Sequence, residues 1–121
     1  MKTAKDPRHK VRVNTIKQLF AESFSNQGQE SEDLNRIDEL VDKIDALITD
    51  AAPQWPIDKL NKIDLAILRF AVYELAEKDT PMKVVVDEAV EISKEYGSEN
   101  TPSFINAVLG TIIKKYPTIK L

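Results

Sequence analysis

Apolar residues recur along most of this chain at intervals of three and four, which is the spacing of helices that bury one face. The pattern is clearest in residues 62–109, where it predicts three amphipathic helices separated by short breaks. It also predicts a helix over residues 30–50 and another that begins at Asp6-Pro7, where an aspartate cap precedes a proline suited to the first helical position. Short helices draw most of their stability from packing, so these segments are expected to share a core. The pattern therefore favours an all-α fold.

Two short segments fit this pattern less directly. Val84-Val85-Val86 has the composition of a β-strand, but the chain continues into Asp87 without a turn signal, so we favour a helix. Trp55 stands between two prolines at a break between helices, and a lone tryptophan usually packs. We therefore expect Trp55 to cover one end of the core.

Residues 97–101 contain a residue typical of a helix C-terminus, followed closely by a residue typical of a helix N-terminus. Gly97 is expected to adopt the left-handed conformation that ends many helices, and Thr101 is expected to cap the next one. The N-terminus of that next helix would suit an anion. A plain connecting turn would have the same sequence, so both interpretations stay open.

Three charged residues, Asp64, Arg69 and Glu74, lie along an otherwise apolar helix. Asp64 and Arg69 are five residues apart, which is not the spacing of an ion pair on one helix. We therefore expect each of them to find its partner on another element, most simply in a salt bridge between helices.

At 121 residues the chain is expected to form a single domain, with N-terminal helices in residues 1–50 and a helical subdomain in residues 51–121.

Composition excludes several classes of site. The chain has no cysteine and one histidine, which excludes disulfides, thiolate metal sites and multi-histidine metal sites. No apolar run approaches the roughly 20 residues of a membrane-spanning helix, and the N-terminus lacks the apolar core of a secretory signal. We therefore expect a cytoplasmic protein with no membrane partner.

No sequence motif indicates catalysis. The chain has no glycine-rich phosphate loop, no Ser/His/Asp set and no metal-ligand spacing. We accordingly expect no enzymatic activity, no metal and no cofactor.

Charge is distributed unevenly along the chain, although the net charge is only -3. Residues 1–17 contain six basic side chains and one acidic side chain, whereas residues 21–50 contain nine acidic and two basic ones. The acidic segment is most simply the solvated face of a helix. The basic segment suits phosphates, but a frayed, solvated helix end would have the same composition. On charge alone both interpretations stay open.

Three segments of the sequence resemble the signature of the NusB family of transcription antitermination factors: LAILRFAVYEL, VVVDEAVEISKEYGSE and FINAVL. The resemblance extends over nearly the whole chain and is most specific in its C-terminal half. It implies an all-α fold of two small helical bundles packed at an angle, with about six to seven helices. It also implies a factor that binds the single-stranded boxA element of leader RNA together with the ribosomal protein NusE. Other Nus factors and RNA polymerase would be reached indirectly through that complex.

The resemblance also assigns site residues. It implies nine RNA contacts, which lie in the family's basic arm, at an aromatic position that stacks on a base, and in the loop between the last two helices. They are Arg8, His9, Lys10 and Arg12 in the arm, Phe20 at the aromatic position, and Gly97, Ser98, Glu99 and Asn100 in the loop. The region that contacts NusE, or the junction between RNA and NusE, implies four more: Asp64, Arg69, Tyr96 and Phe104. Several positions depart from the family pattern: among them, Phe20 stands where a tyrosine is usual and Asn100 where an aspartate is common.

Two alternatives to an RNA-binding factor are kept, a protein-interaction module and, in third place, an enzyme. The same fold serves as an accessory domain in ribosomal RNA cytosine methyltransferases, so a helical protein-interaction module that does not bind RNA is the second hypothesis. Some family members also form homodimers that cover the RNA face. Both a monomer and a homodimer therefore stay open.

Overall fold

The computed structural model describes residues 6–23 and 31–121. Within these ranges the chain forms five α-helices and one turn of 3-10 helix: α1 (Pro7–Glu22), α2 (Glu32–Ala51), the 3-10 turn (Ile57–Lys59), α3 (Lys62–Glu77), α4 (Met82–Tyr96) and α5 (Thr101–Lys115). The described residues contain no strand, and Val84 to Val86 lie inside α4. The all-α prediction is confirmed, but the expected six to seven helices exceed the five α-helices observed.

Side-chain caps begin the first three α-helices. Asp6 Oδ1 accepts a hydrogen bond from the Arg8 N–H at 2.9 Å, and Pro7 occupies the first turn of α1 as predicted. Ser31 Oγ accepts from the Leu34 N–H at 3.0 Å, and Asn61 Oδ1 accepts from the Ile63 N–H at 3.0 Å. Each cap satisfies a backbone donor that would otherwise lack a partner within its helix.

Helix α3 is the centre of the fold and contacts the other four α-helices. Its sequence is apolar around much of its circumference, which is typical of a helix surrounded by others. Ile67, Leu68 and Val72 are fully buried there, and buried side chains from every α-helix join them in one core cluster.

The charged residues of α3 tie it to its neighbours. Arg69 forms two hydrogen bonds with Asp45 of α2, at 2.9 and 2.8 Å, and Asp64 accepts one from Thr101 of α5 at 2.9 Å. The prediction that Asp64 and Arg69 find partners on other elements is therefore confirmed.

Trp55 does not cover the core, so that prediction was wrong. Its side chain is 51% exposed, and Ala52 occupies a buried position at the end of α2 instead. The backbone N–H of Trp55 donates to the Ala52 carbonyl at 3.0 Å. The ring centres of Trp55 and Phe104 lie 6.2 Å apart, in an edge-to-face contact. The turn between α2 and α3 thus directs the indole towards solvent.

Candidate nucleic-acid interface

The basic residues of α1 divide between two faces of the helix. Arg8 and Lys10 are exposed, whereas His9 and Arg12 are each only 8% exposed. Residues three apart on a helix share a face, so His9 and Arg12 both point towards the neighbouring helices. Arg8 additionally pairs with Asp6, at 3.1 Å between Nη2 and Oδ2.

Arg12 belongs to a buried ionic cluster. Its Nε lies 2.9 Å and its Nη2 2.6 Å from the two carboxylate oxygens of Glu74 on α3, and Nη1 lies 3.5 Å from Glu88 on α4. The Thr80 hydroxyl donates to Glu74 at 2.9 Å. The hydrogen bond to Glu74 raises the pKa of Arg12 still further, so the guanidinium stays charged in the interior.

His9 joins the same cluster from the preceding turn. Its Nδ1 lies 3.1 Å from Glu88 Oε2, and Glu88 is itself buried. Of the four basic residues assigned to the arm, only Arg8 and Lys10 therefore present their charge at the surface. The predicted RNA contacts of His9 and Arg12 stay predictions, and they require these buried pairs to open.

A pocket of about 650 Å³ lies beside the C-terminal half of α1. It is lined by two aromatic rings, two lysines and the start of α3: Lys17, Phe20, Asn61, Lys62, Ile63 and Tyr96. The Lys17 ammonium lies 5.1 Å from the centre of the Tyr96 ring, a cation–π contact. Lys62 Nζ donates to the Ser23 carbonyl at 3.3 Å. The pocket thus combines ring surfaces with ammonium groups, which suits a planar ring attached to an anion.

Sequence reasoning singled out Phe20 and Tyr96 but assigned them to different ligands, and it did not assign Lys17 or Lys62 to the site. Lys17 was detectable, because it lies three residues before Phe20 and shares its side of the helix. Lys62 was not detectable, because only the packing of α3 against α1 brings it to the pocket.

Gly97 ends α4 in an extended conformation, with φ -93° and ψ -175°, so the predicted left-handed stop was wrong. The glycine is needed for space instead. A Cβ at this position would lie 2.5 Å from the Cβ of Thr101, which is too close for any side chain.

Thr101 connects the loop to α3. Its hydroxyl accepts from the Ser98 N–H at 2.9 Å and donates to Asp64 at 2.9 Å. Burial raises the pKa of Asp64, and the hydrogen bond from Thr101 partly opposes that rise. Asn100, not Thr101, occupies the cap position of α5, and its side chain makes no capping bond. The predicted cap was wrong because the Thr101 hydroxyl bonds across to α3.

The other loop residues assigned to RNA are exposed: Ser98, Glu99 and Asn100. The N–H groups of Ser98 and Thr101 donate within the loop, the first to the Thr101 hydroxyl and the second to the Ser98 carbonyl. These two donors are therefore already used, which limits the capacity of this helix start for an anion.

The four residues assigned to a protein partner lie in different surroundings. Tyr96 is 37% exposed in the pocket, and Phe104 is partly buried against Trp55. Asp64 lies under the loop through Thr101, whereas Arg69 lies towards α2 with Asp45. The structure thus brings Tyr96 together with Phe20, while Arg69 occupies a separate position.

We predict that Gly97→Ala lowers the free energy of unfolding by about 1–3 kcal/mol, because the new methyl group overlaps Thr101. The matched control is Gly110→Ala, inside α5, where nothing lies within 4 Å of the added carbon. That control should stabilise the protein by about 0.5–1 kcal/mol, since alanine favours the helix. Urea unfolding of both variants checks the pair, and equal effects would contradict the steric argument.

Two classes of site are absent from the parts of the chain that the structure describes. Residues 6–23 and 31–121 contain no group of three or more histidine or acidic side chains arranged to hold a metal ion. No helix in those same ranges is long and apolar enough to cross a membrane.

Comparisons with known proteins agree on one family. The profile of the NusB family matches residues 4–114. The transcription antitermination protein NusB of Thermotoga maritima is 36% identical, over 93% of this chain and 94% of that protein. A solved structure of T. maritima NusB superposes with a TM-score of 0.82 at 34% identity, and it covers 95% of this chain and 94% of that one.

A second group of relatives matches a shorter segment. The transcription antitermination protein NusB of Roseiflexus castenholzii is 45% identical over 60% of this chain, and that of Chloroflexus aggregans is 47% identical over 60%. The chain spans about half the length of these relatives, 54% and 51% respectively.

Proposed function

The chain belongs to the NusB family, and from this premise we propose that it is a transcription antitermination factor that binds boxA-type single-stranded leader RNA in complex with NusE. In this proposal it promotes processive transcription of ribosomal RNA and reaches other Nus factors and RNA polymerase indirectly. It acts as a binding protein without catalysis or cofactor, in the cytoplasm where the nascent transcript is made.

The observation that carries the proposal is the pocket between α1, α3 and α4. Phe20 and Tyr96 supply ring surfaces, on which a base can stack for about 1–3 kcal/mol whatever its identity. Lys17 and Lys62 supply positive charge beside those rings. Stacking surfaces next to cations are the usual means of binding a single strand, because the bases are free to turn outwards.

The exposed basic residues of α1 extend this surface. Lys10 and Lys17 are seven residues apart, or two helical turns, and therefore lie on one side of α1 about 10 Å apart along its axis. Arg8 adds a further exposed charge near the start of the helix. We propose that these three side chains contact successive phosphates, with Ser98, Glu99 and Asn100 close to the same strand.

The partner contacts are proposed from the same surface. Tyr96 lies in the pocket, so its contact with NusE would occur at the junction between RNA and protein. Asp64 and Arg69 are proposed to meet NusE beyond that junction, and Phe104 at the junction itself. Because Asp64 and Arg69 are already paired within the chain, they would present a preformed arrangement to the partner.

The test is the affinity for labelled boxA-type RNA across a salt series, with and without NusE. We expect affinity to rise with NusE and to fall as salt increases, because phosphate contacts release counterions. Changing both Lys10 and Lys17 to glutamine should weaken binding and reduce the slope of log affinity against log salt by roughly 0.7 per lost contact. Lys43→Gln, on the acidic helix α2, is the matched control and should change neither quantity.

A second candidate is favoured by one observation, the burial of His9 and Arg12 in ion pairs. Two of the four basic residues of the arm are buried, which favours a protein-interaction module that does not bind RNA. Absence of RNA binding in the presence of NusE would contradict the antitermination proposal and support this module. Sedimentation of the same samples distinguishes monomer from homodimer, since a dimer that covers α1 would dissociate as RNA binds.

A further inference from the structure

Trp55 is an exposed aromatic side chain whose position is held by the fold. Half of the residue's surface is open to solvent, while its backbone N–H donates to the Ala52 carbonyl and its ring lies against Phe104. Pro56 follows it directly and restricts the backbone leading into the 3-10 turn. A backbone restrained in this way, with the indole against Phe104, reduces the conformational freedom that Trp55 loses when it binds a ligand.

The two rings leave room for a third. Trp55 and Phe104 meet at an interplanar angle of 83°, so they touch edge to face and are not stacked. In that arrangement Phe104 can cover at most one face of the indole. With 51% of the residue exposed, the indole offers surface on which a planar ring can stack.

Trp55 lies close in sequence to the pocket that the proposed function uses. The pocket of Phe20 and Tyr96 includes the start of α3 at Asn61 to Ile63, and the next residue, Asp64, bonds to Thr101 of α5. Phe104 follows Thr101 by one helical turn and touches Trp55. Trp55 itself precedes Asn61 of the pocket by six residues, so the indole and the pocket both lie near the N-terminal end of α3.

We infer that Trp55 is a second stacking position, which receives one base of a single-stranded RNA downstream or upstream of the bases in the pocket. The inference rests on the proposed function, because it extends the same surface. Lys59 of the neighbouring 3-10 turn is exposed and supplies positive charge, while the exposed Asp58 of that turn offsets part of it. Stacking on the indole, with little contribution from phosphate contacts, is thus the main interaction expected there.

Fluorescence tests the inference directly, because Trp55 is the only tryptophan in the chain. Excitation of the unmodified protein at the tryptophan band reports this one indole. Titration with boxA-type RNA should quench or shift its emission with the same midpoint as binding measured by the label on the RNA. Binding of the labelled RNA without any change in emission would overturn the inference while leaving the proposed function intact.

Substitution separates stacking from general effects. Trp55→Ala should weaken RNA binding by roughly 5- to 150-fold, which is the range for loss of one stacked base, without changing the salt dependence. Trp55→Phe retains a ring and should restore most of the affinity. Val11→Ala removes an equally exposed apolar side chain from α1 and should leave affinity unchanged. Thermal unfolding of each variant confirms that it is folded at the binding temperature.

A series of RNAs with single abasic sites identifies the stacked base. One position should lose affinity in the unmodified protein and lose none in Trp55→Ala, as expected for a pair that interacts directly. Equal losses at every position in both proteins would overturn the inference. An emission change on adding NusE alone, with no response to RNA, would also overturn it and assign Trp55 to a protein interface. If no RNA binds at any salt concentration, the proposed function itself fails.

Discussion

Replacing Arg12 by alanine should lower the free energy of unfolding by about 3–5 kcal/mol, the range measured when one partner of a buried ion pair is removed. The side chain is buried and is the main partner of Glu74, with Glu88 at 3.5 Å. Its loss would leave these carboxylates in the interior, where Thr80 and His9 are their remaining partners within residues 6–23 and 31–121. The penalty is that of an uncompensated buried charge, which greatly exceeds the cost of losing a surface charge.

Urea unfolding measures this loss of stability, and two further variants test whether it arises from the buried ion pair. Arg8→Ala removes an exposed arginine one turn earlier and should change stability little, because its pair with Asp6 is solvated. Arg12→Lys keeps the charge but loses the planar fork that bonds both oxygens of Glu74, so it should recover only part of the loss. An Arg12→Ala variant as stable as the unmodified protein, but weaker in RNA binding, would show instead that Arg12 is available to phosphates.

Phe20→Ala should weaken binding of boxA-type RNA by about 1–3 kcal/mol, or roughly 5- to 150-fold. The ring lines the pocket with Tyr96, and it is only partly buried against the core. Stacking depends on the face of the ring, so the loss should be similar for RNAs that differ in sequence. The salt dependence should stay unchanged, because no phosphate contact is removed.

Two variants separate stacking at Phe20 from packing. Phe20→Leu keeps an apolar side chain of similar size against the core but has no ring, so it should bind RNA almost as weakly as Phe20→Ala while unfolding closer to the unmodified protein. Phe20→Tyr keeps the ring and should bind RNA normally. Full RNA affinity in the leucine variant would contradict the stacking role.

Local features of the sequence predicted the start of α1 and the helix through Val84 to Val86, but not the number of helices or the conformations at Gly97 and Thr101. Asp6-Pro7 begins α1 as expected, because capping depends on residues within a few positions of each other. The partners of Asp64 and Arg69 on other helices were predicted from a similar argument, since their spacing on α3 does not permit a pair.

Burial of the basic arm was not predictable in the same way. Arg12 and His9 are 62 and 79 residues from their carboxylate partners, so no local pattern indicates which basic residues turn inwards. Helical spacing alone shows that the two share a face, but the acidic residues that meet them are found only when α3 and α4 pack on α1. A run of basic residues therefore overstates the charge available to a ligand.

The pocket and the exposed indole were likewise not predictable from local sequence patterns. Phe20 and Tyr96 were each noticed, but their common pocket requires the ends of α1 and α4 to meet across the start of α3. Trp55 was expected to be buried because tryptophan usually is. Trp55 is exposed because of the path that the backbone takes through this turn. The neighbouring prolines indicated that a turn is present, but not the direction in which it points the indole.

The close approach of Gly97 to Thr101 also has a consequence for how this family of sequences can diverge. A larger residue at position 97 is compatible with this loop only if position 101 becomes glycine, because the added β-carbon would overlap the β-carbon of residue 101. Glycine at 101 would also remove the hydroxyl that donates to Asp64, so the carboxylate would lose this hydrogen bond. Positions 64, 97 and 101 should therefore covary among relatives, with the combination of aspartate, glycine and threonine inherited or replaced as a unit.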